Sequence, residues 1–332
     1  MESQNDKGNV SDQPSLSTKE FGISFEEGDF LNLGKESFHP VQVNTMPIVH
    51  FVNGTPNPLG TCFVISNSGL AITARHVIDE AFSKYFSAGN PNVDIPPEEA
   101  LHAIYASNTL DPTTGHFIGG PLPVLKIWSN SGMDIAILQL GVPINTETGE
   151  NLYLPTVKLS PGVPKVGQHI FGLGYHSMQW AAATNGFNVD QRLSASRGKV
   201  EEIYFPRRDS VFMSFPCFQT TARFDGGMSG GPIISESGQV CGVICSSMKT
   251  DESDGTFTSY GSLISSALVL VTFGKDASGE REMFLHDFVI GGAVQLDDTA
   301  KDIEITNKGD EIIVDLGNGR TMRNILKQSS SP

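Results

Sequence analysis

The feature that most restricts this chain is its punctuation. From Pro47 onward, short apolar or alternating runs recur, each closed by Gly, Pro or Asn. They lie at 48–52, 61–65, 70–73, 101–106, 124–128 and 134–140. A second series lies at 156–159, 169–174, 198–204, 211–220, 240–247 and 258–263. The 35 Gly and 19 Pro supply the turns. Strands so spaced, with little helix between them, predict an all-β barrel or sandwich rather than a parallel α/β sheet. One short helix is expected after Thr73, where Val77, Ile78, Ala81, Phe82, Tyr85 and Phe86 recur at helical spacing.

The chain's 332 residues suffice for two compact units or one double-lobed domain. Residues 1–40 are polar and irregular, and read as a flexible acidic tail. The turn-rich stretch 143–155 reads as a joint between two halves, about 41–150 and 151–275. The run 267–273 is too short to assign by period. Beyond it, 276–332 alternates acids with Ile303, Ile305, Ile312 and Val314 around Gly-containing turns, which predicts a small acidic β-extension.

Lys and Arg number 22 against 37 Asp and Glu, a net charge of −15. That balance argues against nucleic acid or an anionic membrane as a partner. Four Cys in a chain of this length do not make a disulfide scaffold. No apolar run reaches the roughly 18–20 residues of a membrane span. The N-terminus lacks the basic-then-apolar layout of a secretory signal, so a cytoplasmic location is expected.

Chemistry concentrates in Phe224-Asp-Gly-Gly-Met-Ser-Gly-Gly-Pro232. Glycines on both sides let the chain turn sharply and expose Ser229 among converging N–H groups. A serine hydroxyl needs a base to become a nucleophile. His76, at the end of a strand in Thr73-Ala-Arg-His-Val, supplies an imidazole. Asp134, opening the run Asp-Ile-Ala-Ile-Leu-Gln-Leu, supplies the carboxylate that fixes the tautomer of such a base. Asp79, Asp94 and Asp111 fall in helix or loop contexts and suit that role less well.

With these residues in the order His76, Asp134, Ser229, the chain resembles a trypsin-like serine peptidase of the chymotrypsin fold, nearest in texture to the HtrA type. Gly60-Thr-Cys-Phe-Val-Ile-Ser66 with Gly69-Leu-Ala-Ile-Thr-Ala-Arg-His76 is similar to the family's first hairpin and histidine strand. Val166-Gly-Gln-His-Ile-Phe-Gly-Leu-Gly174, Gly198-Lys-Val-Glu-Glu-Ile and Ser259-Tyr-Gly-Ser-Leu-Ile264 are similar to strands of its second barrel. The span from Gln219-Thr to Ser229 has the family's length. The resemblance covers roughly 45–270.

It implies two antiparallel six-stranded barrels over 41–275 and a serine endopeptidase acting on protein or peptide through an acyl-enzyme on Ser229. The N–H groups of Gly227 and Ser229 would form the oxyanion hole, and Gly226-Gly227 would let that hole be unformed at rest. Arg223 falls at the family's specificity position, where it would either pair an acidic substrate side chain or face solvent or brace an aspartate such as Asp225, the second reading being favoured. Cys245 and Ser246, on the strand 241–247, would line the pocket's other wall. Cys241 and Cys245, four apart, would share one face as core thiols.

Two departures stand out. Met228 replaces the aspartate to which digestive members bind a freed N-terminus, and 276–332 carries no signature of a PDZ module. A regulatory partner could dock on the tail or on 276–332, in keeping with a regulated intracellular peptidase. His39, His50, His102, His116, His169, His176 and His286 show no ligand spacing, so no metal and no cofactor are expected. A silent binding module, or acyl transfer and ester hydrolysis with the same triad, are the alternatives.

Overall fold

The computed structural model describes residues 30–33, 44–52, 54–82, 92–94, 100–110, 117–144, 149, 153–183, 186–249, 257–276 and 279–326. The first strands are β1 (Phe30–Leu33), β2 (Thr45–Val52), β3 (Thr55–Val64) and β4 (Leu70–Thr73), followed by helix α1 (Arg75–Phe82). Next come β5 (Asn92–Asp94), β6 (Ala100–Leu110), β7 (Phe117–Ser129) and β8 (Ala136–Leu140). The second half holds β9 (His169–Ala183), β10 (Gly186–Tyr204) and β11 (Cys217–Thr220). It continues with β12 (Pro232–Ser235), β13 (Val240–Lys249) and β14 (Phe257–Leu263).

Two sheets close on themselves. One runs β2-β3-β4-β8-β7-β6 and back to β2, the other β9-β10-β11-β14-β13-β12 and back to β9. Both rings join their strands in the same sequence: first, second, third, sixth, fifth, fourth. This is the two-barrel, all-β architecture of the chymotrypsin fold. β5 adds to the edge of β7. β1 adds to β10, so part of the segment read as a tail belongs to the second sheet, while 1–29 and 34–43 lie outside the described residues.

Local chemistry explains where elements depart from expectation. The run 211–220 becomes a strand only at Cys217, because Asp209 Oδ1 accepts the N–H groups of Val211, Phe212 and Met213 at 2.8, 2.7 and 3.3 Å. A backbone so engaged cannot join a ladder. The run 267–273 divides into a 3-10 turn over Ile264–Val269 and strand β15 (Val271–Asp276). Helix α1 takes up the periodic run after Thr73 as far as Phe82, and Tyr85 and Phe86 lie outside the described residues.

The second half of β3 is buried on both faces, since one face fills the first barrel and the other meets the segment joining the barrels. That segment is stapled on three sides. Val157 N–H donates to Val64 O at 3.1 Å, Ser160 N–H to Val240 O at 2.7 Å, and Leu159 N–H to Gln295 O at 2.9 Å.

The C-terminal part continues from β15 through β16 (Gly279–Phe284), α2 (Leu285–Ile290), β17 (Glu304–Asn307), β18 (Glu311–Asp315) and β19 (Thr321–Ile325). The hairpin β15–β16 spans the expected boundary at 275/276. Ile312, Val314 and Met322 share a buried cluster with Phe218, Ile233 and Leu268 of the second barrel and its flanking turn. Asn324 Nδ2 donates to Val269 O at 2.7 Å. We expect Ile312→Ala to lower the unfolding free energy by about 2–4 kcal/mol. Denaturant melts should show less than about 0.5 kcal/mol for exposed Ile325→Ala.

Candidate active site

The register of the first barrel brings two of the singled-out residues together. Thr73 at the end of β4 pairs with Ala136 at the start of β8. The residues just beyond each, His76 on the first turn of α1 and Asp134, therefore meet. Asp134 Oδ2 lies 2.9 Å and Oδ1 3.1 Å from His76 Nδ1. Oδ1 also accepts the His76 backbone N–H at 2.9 Å, one of the donors a helix start leaves without a partner. The carboxyl side chain is 9% exposed and the imidazole 47%, so the acid is enclosed while the ring is open on its other side. Asp79 is engaged instead by Arg75, at 3.0 Å. Burial raises its carboxyl pKa, and Arg75 opposes that rise.

Ser229 sits in the turn between β11 and β12. Met228 N–H donates to Asp225 O at 3.0 Å, Gly231 N–H to Met228 O at 2.9 Å and Gly230 N–H to Ile244 O at 2.8 Å. Gly227 has φ of +92°, and a Cβ there would stand 2.6 Å from Tyr175 O. Gly230 has φ of +84°, and a Cβ there would stand 2.1 Å from Thr73 Oγ1. Neither position admits a side chain. Met228 is buried in the second barrel's core, which anchors the loop from below.

Ser229 Oγ donates to the Cys245 carbonyl at 3.2 Å. The same residue's thiol lies beside the Asp134 carboxylate, so Cys245 links the nucleophile loop to the His76–Asp134 pair. The N–H groups of Gly227 and Ser229 are spent on no hydrogen bond among the described residues.

The pocket residues fall differently. Arg223 braces Asp225 bidentately, Nε to Oδ1 and Nη2 to Oδ2, both at 2.8 Å. The Cys245 side chain is buried, accepting the Ser262 N–H at 3.0 Å. Cys241 and Cys245 lie in separate clusters, because the bulge between Ile244 and Ser246 breaks the alternation of faces. Ser246 is half-buried and pairs with Tyr260. Strand β12 covers β13 only as far as Val243. Sequence reasoning missed Thr61, whose hydroxyl donates to Gly227 O at 2.8 Å. Nothing in its spacing distinguishes it from any strand threonine.

Among the described residues no group of three or more His, Cys, Asp or Glu is placed to hold a metal, and no helix is long and apolar enough to cross a membrane.

Two closed barrels, a glycine-framed serine on one and a carboxylate-held imidazole on the other, define a serine peptidase of the chymotrypsin fold. The family model for the trypsin-like peptidase domain matches residues 60–243, and the chain belongs to that family. Its substrate is accordingly protein or peptide. Among solved structures, the chain is similar to the active form of the Rv3671c protease from M. tuberculosis. Identity is 18% and the TM-score 0.42, covering 78% of this chain and 85% of that one. The inactive form of the Rv3671c protease matches with 19% identity and a TM-score of 0.38, covering 68% and 85%. A search of curated protein sequences finds no match.

Burial pushes the thiols of Cys62, Cys217 and Cys241 up to about 12, and burial with the nearby Asp134 charge holds Cys245 well above the ordinary range. Thiolates are the reactive form. Iodoacetamide at pH 8 should therefore leave the native protein unlabelled and fully active, and mass spectrometry should find all four cysteines alkylated only after denaturation.

Proposed function

We propose that the chain is a serine endopeptidase in which Ser229 attacks the scissile carbonyl and His76 takes its proton. His76 then gives that proton to the leaving amine, and water hydrolyses the acyl-enzyme. The observation that carries this reading is the two-oxygen grip of Asp134 on His76 Nδ1. It leaves the other ring nitrogen as the basic one and stabilises the imidazolium formed during attack. To react, the Ser229 hydroxyl exchanges its long bond to Cys245 O for one to the imidazole, giving up a hydrogen bond worth about 1 kcal/mol. The unspent N–H groups of Gly227 and Ser229 receive the oxyanion, each contributing about 3–4 kcal/mol to the transition state. An extended peptide would pair with the part of β13 beyond Ile244, around Ser246, since Ile244 N–H and C=O are taken by Gly231 O and Gly230 N–H.

Fluorophosphonate labelling tests the nucleophile. The wild type should be labelled at Ser229 and Ser229→Ala should not. Asp134→Asn, which keeps the shape and offers the wrong partner to Nδ1, should lower kcat by about 10,000-fold with little change in melting temperature. Label appearing on Ser229→Ala, or an Asp134→Asn enzyme of normal rate, would sink the assignment.

Specificity follows from the Arg223–Asp225 pair. A guanidinium whose charge is already answered by a carboxylate through Nε and Nη2 has less attraction left for an acidic substrate. In a peptide library the wild type should show no preference for Glu or Asp on the acyl side of the cut. Asp225→Asn, by uncovering the Arg223 charge, should raise kcat/KM for such peptides by about tenfold relative to neutral ones.

A further inference from the structure

We infer that Thr61 is the positioning residue of the oxyanion hole, an inference that rests on the peptidase reading above. Thr61 belongs to the first barrel and is fully buried. Its backbone N–H donates to Ser229 O at 2.8 Å, and its hydroxyl donates to Gly227 O at 2.8 Å. The carbonyls on either side of Met228 are thus both held by one residue of the other barrel. The hydroxyl's acceptor side is filled as well, by the Tyr175 N–H of β9 at 3.0 Å. Thr61 O in turn accepts the Thr73 hydroxyl at 2.7 Å, which ties the site to the strand leading into His76.

The consequence lies in which rotations remain. Peptide 226–227 carries the Gly227 N–H and is flanked by glycine on both sides. A Cβ at Gly226 would meet nothing within 4 Å, so no packing holds that peptide from its N-terminal end. At its other end is Gly227, whose carbonyl lies in the next peptide, 227–228; Thr61 Oγ1 holds that carbonyl at 2.8 Å, and the Met228 N–H of the same peptide donates to Asp225 O at 3.0 Å. Removing the hydroxyl strands the buried Tyr175 N–H and the half-buried Gly227 C=O, each costly to leave unpaired. When peptide 227–228 turns to find the carbonyl a new partner, the change passes through the Gly227 dihedrals, which no Cβ restrains, and carries the Gly227 N–H on the preceding peptide away from the oxyanion position. The hydroxyl bridges both barrels, so the hole is set only when they are in register.

The test compares Thr61→Val, Thr61→Ser and wild type in the full chain, with p-nitrophenyl acetate and a fluorophosphonate as probes. Thr61→Val keeps the side-chain shape and removes the bond. It should lower kcat and the saturating rate of phosphonylation by about 10- to 100-fold, with KM shifting less than about threefold. Thr61→Ser should return to within about threefold of wild type. The pH dependence should be unchanged in all three, because the His76–Asp134 pair is untouched. If Thr61→Val does not fold, Thr61→Ser and Thr61→Ala differ by the hydroxyl alone and carry the same comparison. A folded Thr61→Val or Thr61→Ala with wild-type kcat overturns the proposal, as does a serine variant no better than the hydroxyl-free ones, or an effect confined to KM. In those cases an active wild type leaves the peptidase reading standing. A wild type inert to both probes overturns that reading and the proposal with it.

Discussion

A site divided between two closed barrels faces a registration problem, because a closed sheet has no free edge with which to zip onto its neighbour. Here the problem is met by β3, which reaches the nucleophile loop with both backbone and side chain. Thr61 N–H and Oγ1 hold the carbonyls of Ser229 and Gly227, and Tyr175 N–H closes the contact from the second barrel. A Cβ at Gly60 would stand 2.7 Å from Ser229 O, which shows how close the two chains run. Were β3 held further away, Ser229 would still sit on its turn, but it would lose the two bonds from Thr61 that tie its loop to the first barrel.

Each barrel then settles its own half of the chemistry. Antiparallel pairing of β4 with β8 fixes His76 against Asp134 before the second barrel is involved. The turn before β12, with Met228 buried beneath it, presents Ser229 and two N–H groups. The carboxylate and imidazole are therefore a property of one barrel, the glycine-framed serine and its unspent N–H groups of the other. Only their alignment belongs to the interface between them.

The parts legible in the sequence were those with a local signature. Glycines around Ser229 announce a turn whose positive φ values only glycine tolerates, and period-two runs announce strands. The order His76, Asp134, Ser229 was readable because strand ends carry the polar residues. What the sequence hid depends on partners far along the chain. A bulge moved Cys245 off the face expected from simple alternation, and Asp209 kept 211–216 out of the ladder. Arg223 could be weighed only against Asp225, two residues away, and the choice between bracing and binding waited on geometry. Thr61 and Tyr175 are 114 residues apart, and no spacing rule joins them. The same holds for the C-terminal part. Its alternation of acids with Ile312 and Val314 revealed strands, but not that those residues complete the core of the second barrel.

The position of Cys245 shows how such a site tolerates a thiol at its centre. The side chain adjoins Asp134, accepts the Ser262 N–H at 3.0 Å and lies 3.0 Å from the Ser262 hydroxyl. A thiolate there would place a second negative charge in an enclosed volume already holding a carboxylate. Burial and that carboxylate both disfavour ionisation, so the sulfur remains a neutral filler. The Asp134 charge is answered by His76, through the side-chain contact and the helix-start N–H. Meanwhile the Cys245 carbonyl, turned by the bulge, supplies a temporary acceptor for Ser229 Oγ. A neutral sulfur adds no second negative charge to that volume, and the Cys245 carbonyl holds the Ser229 hydroxyl in the place from which the proposed relay through His76 would draw it.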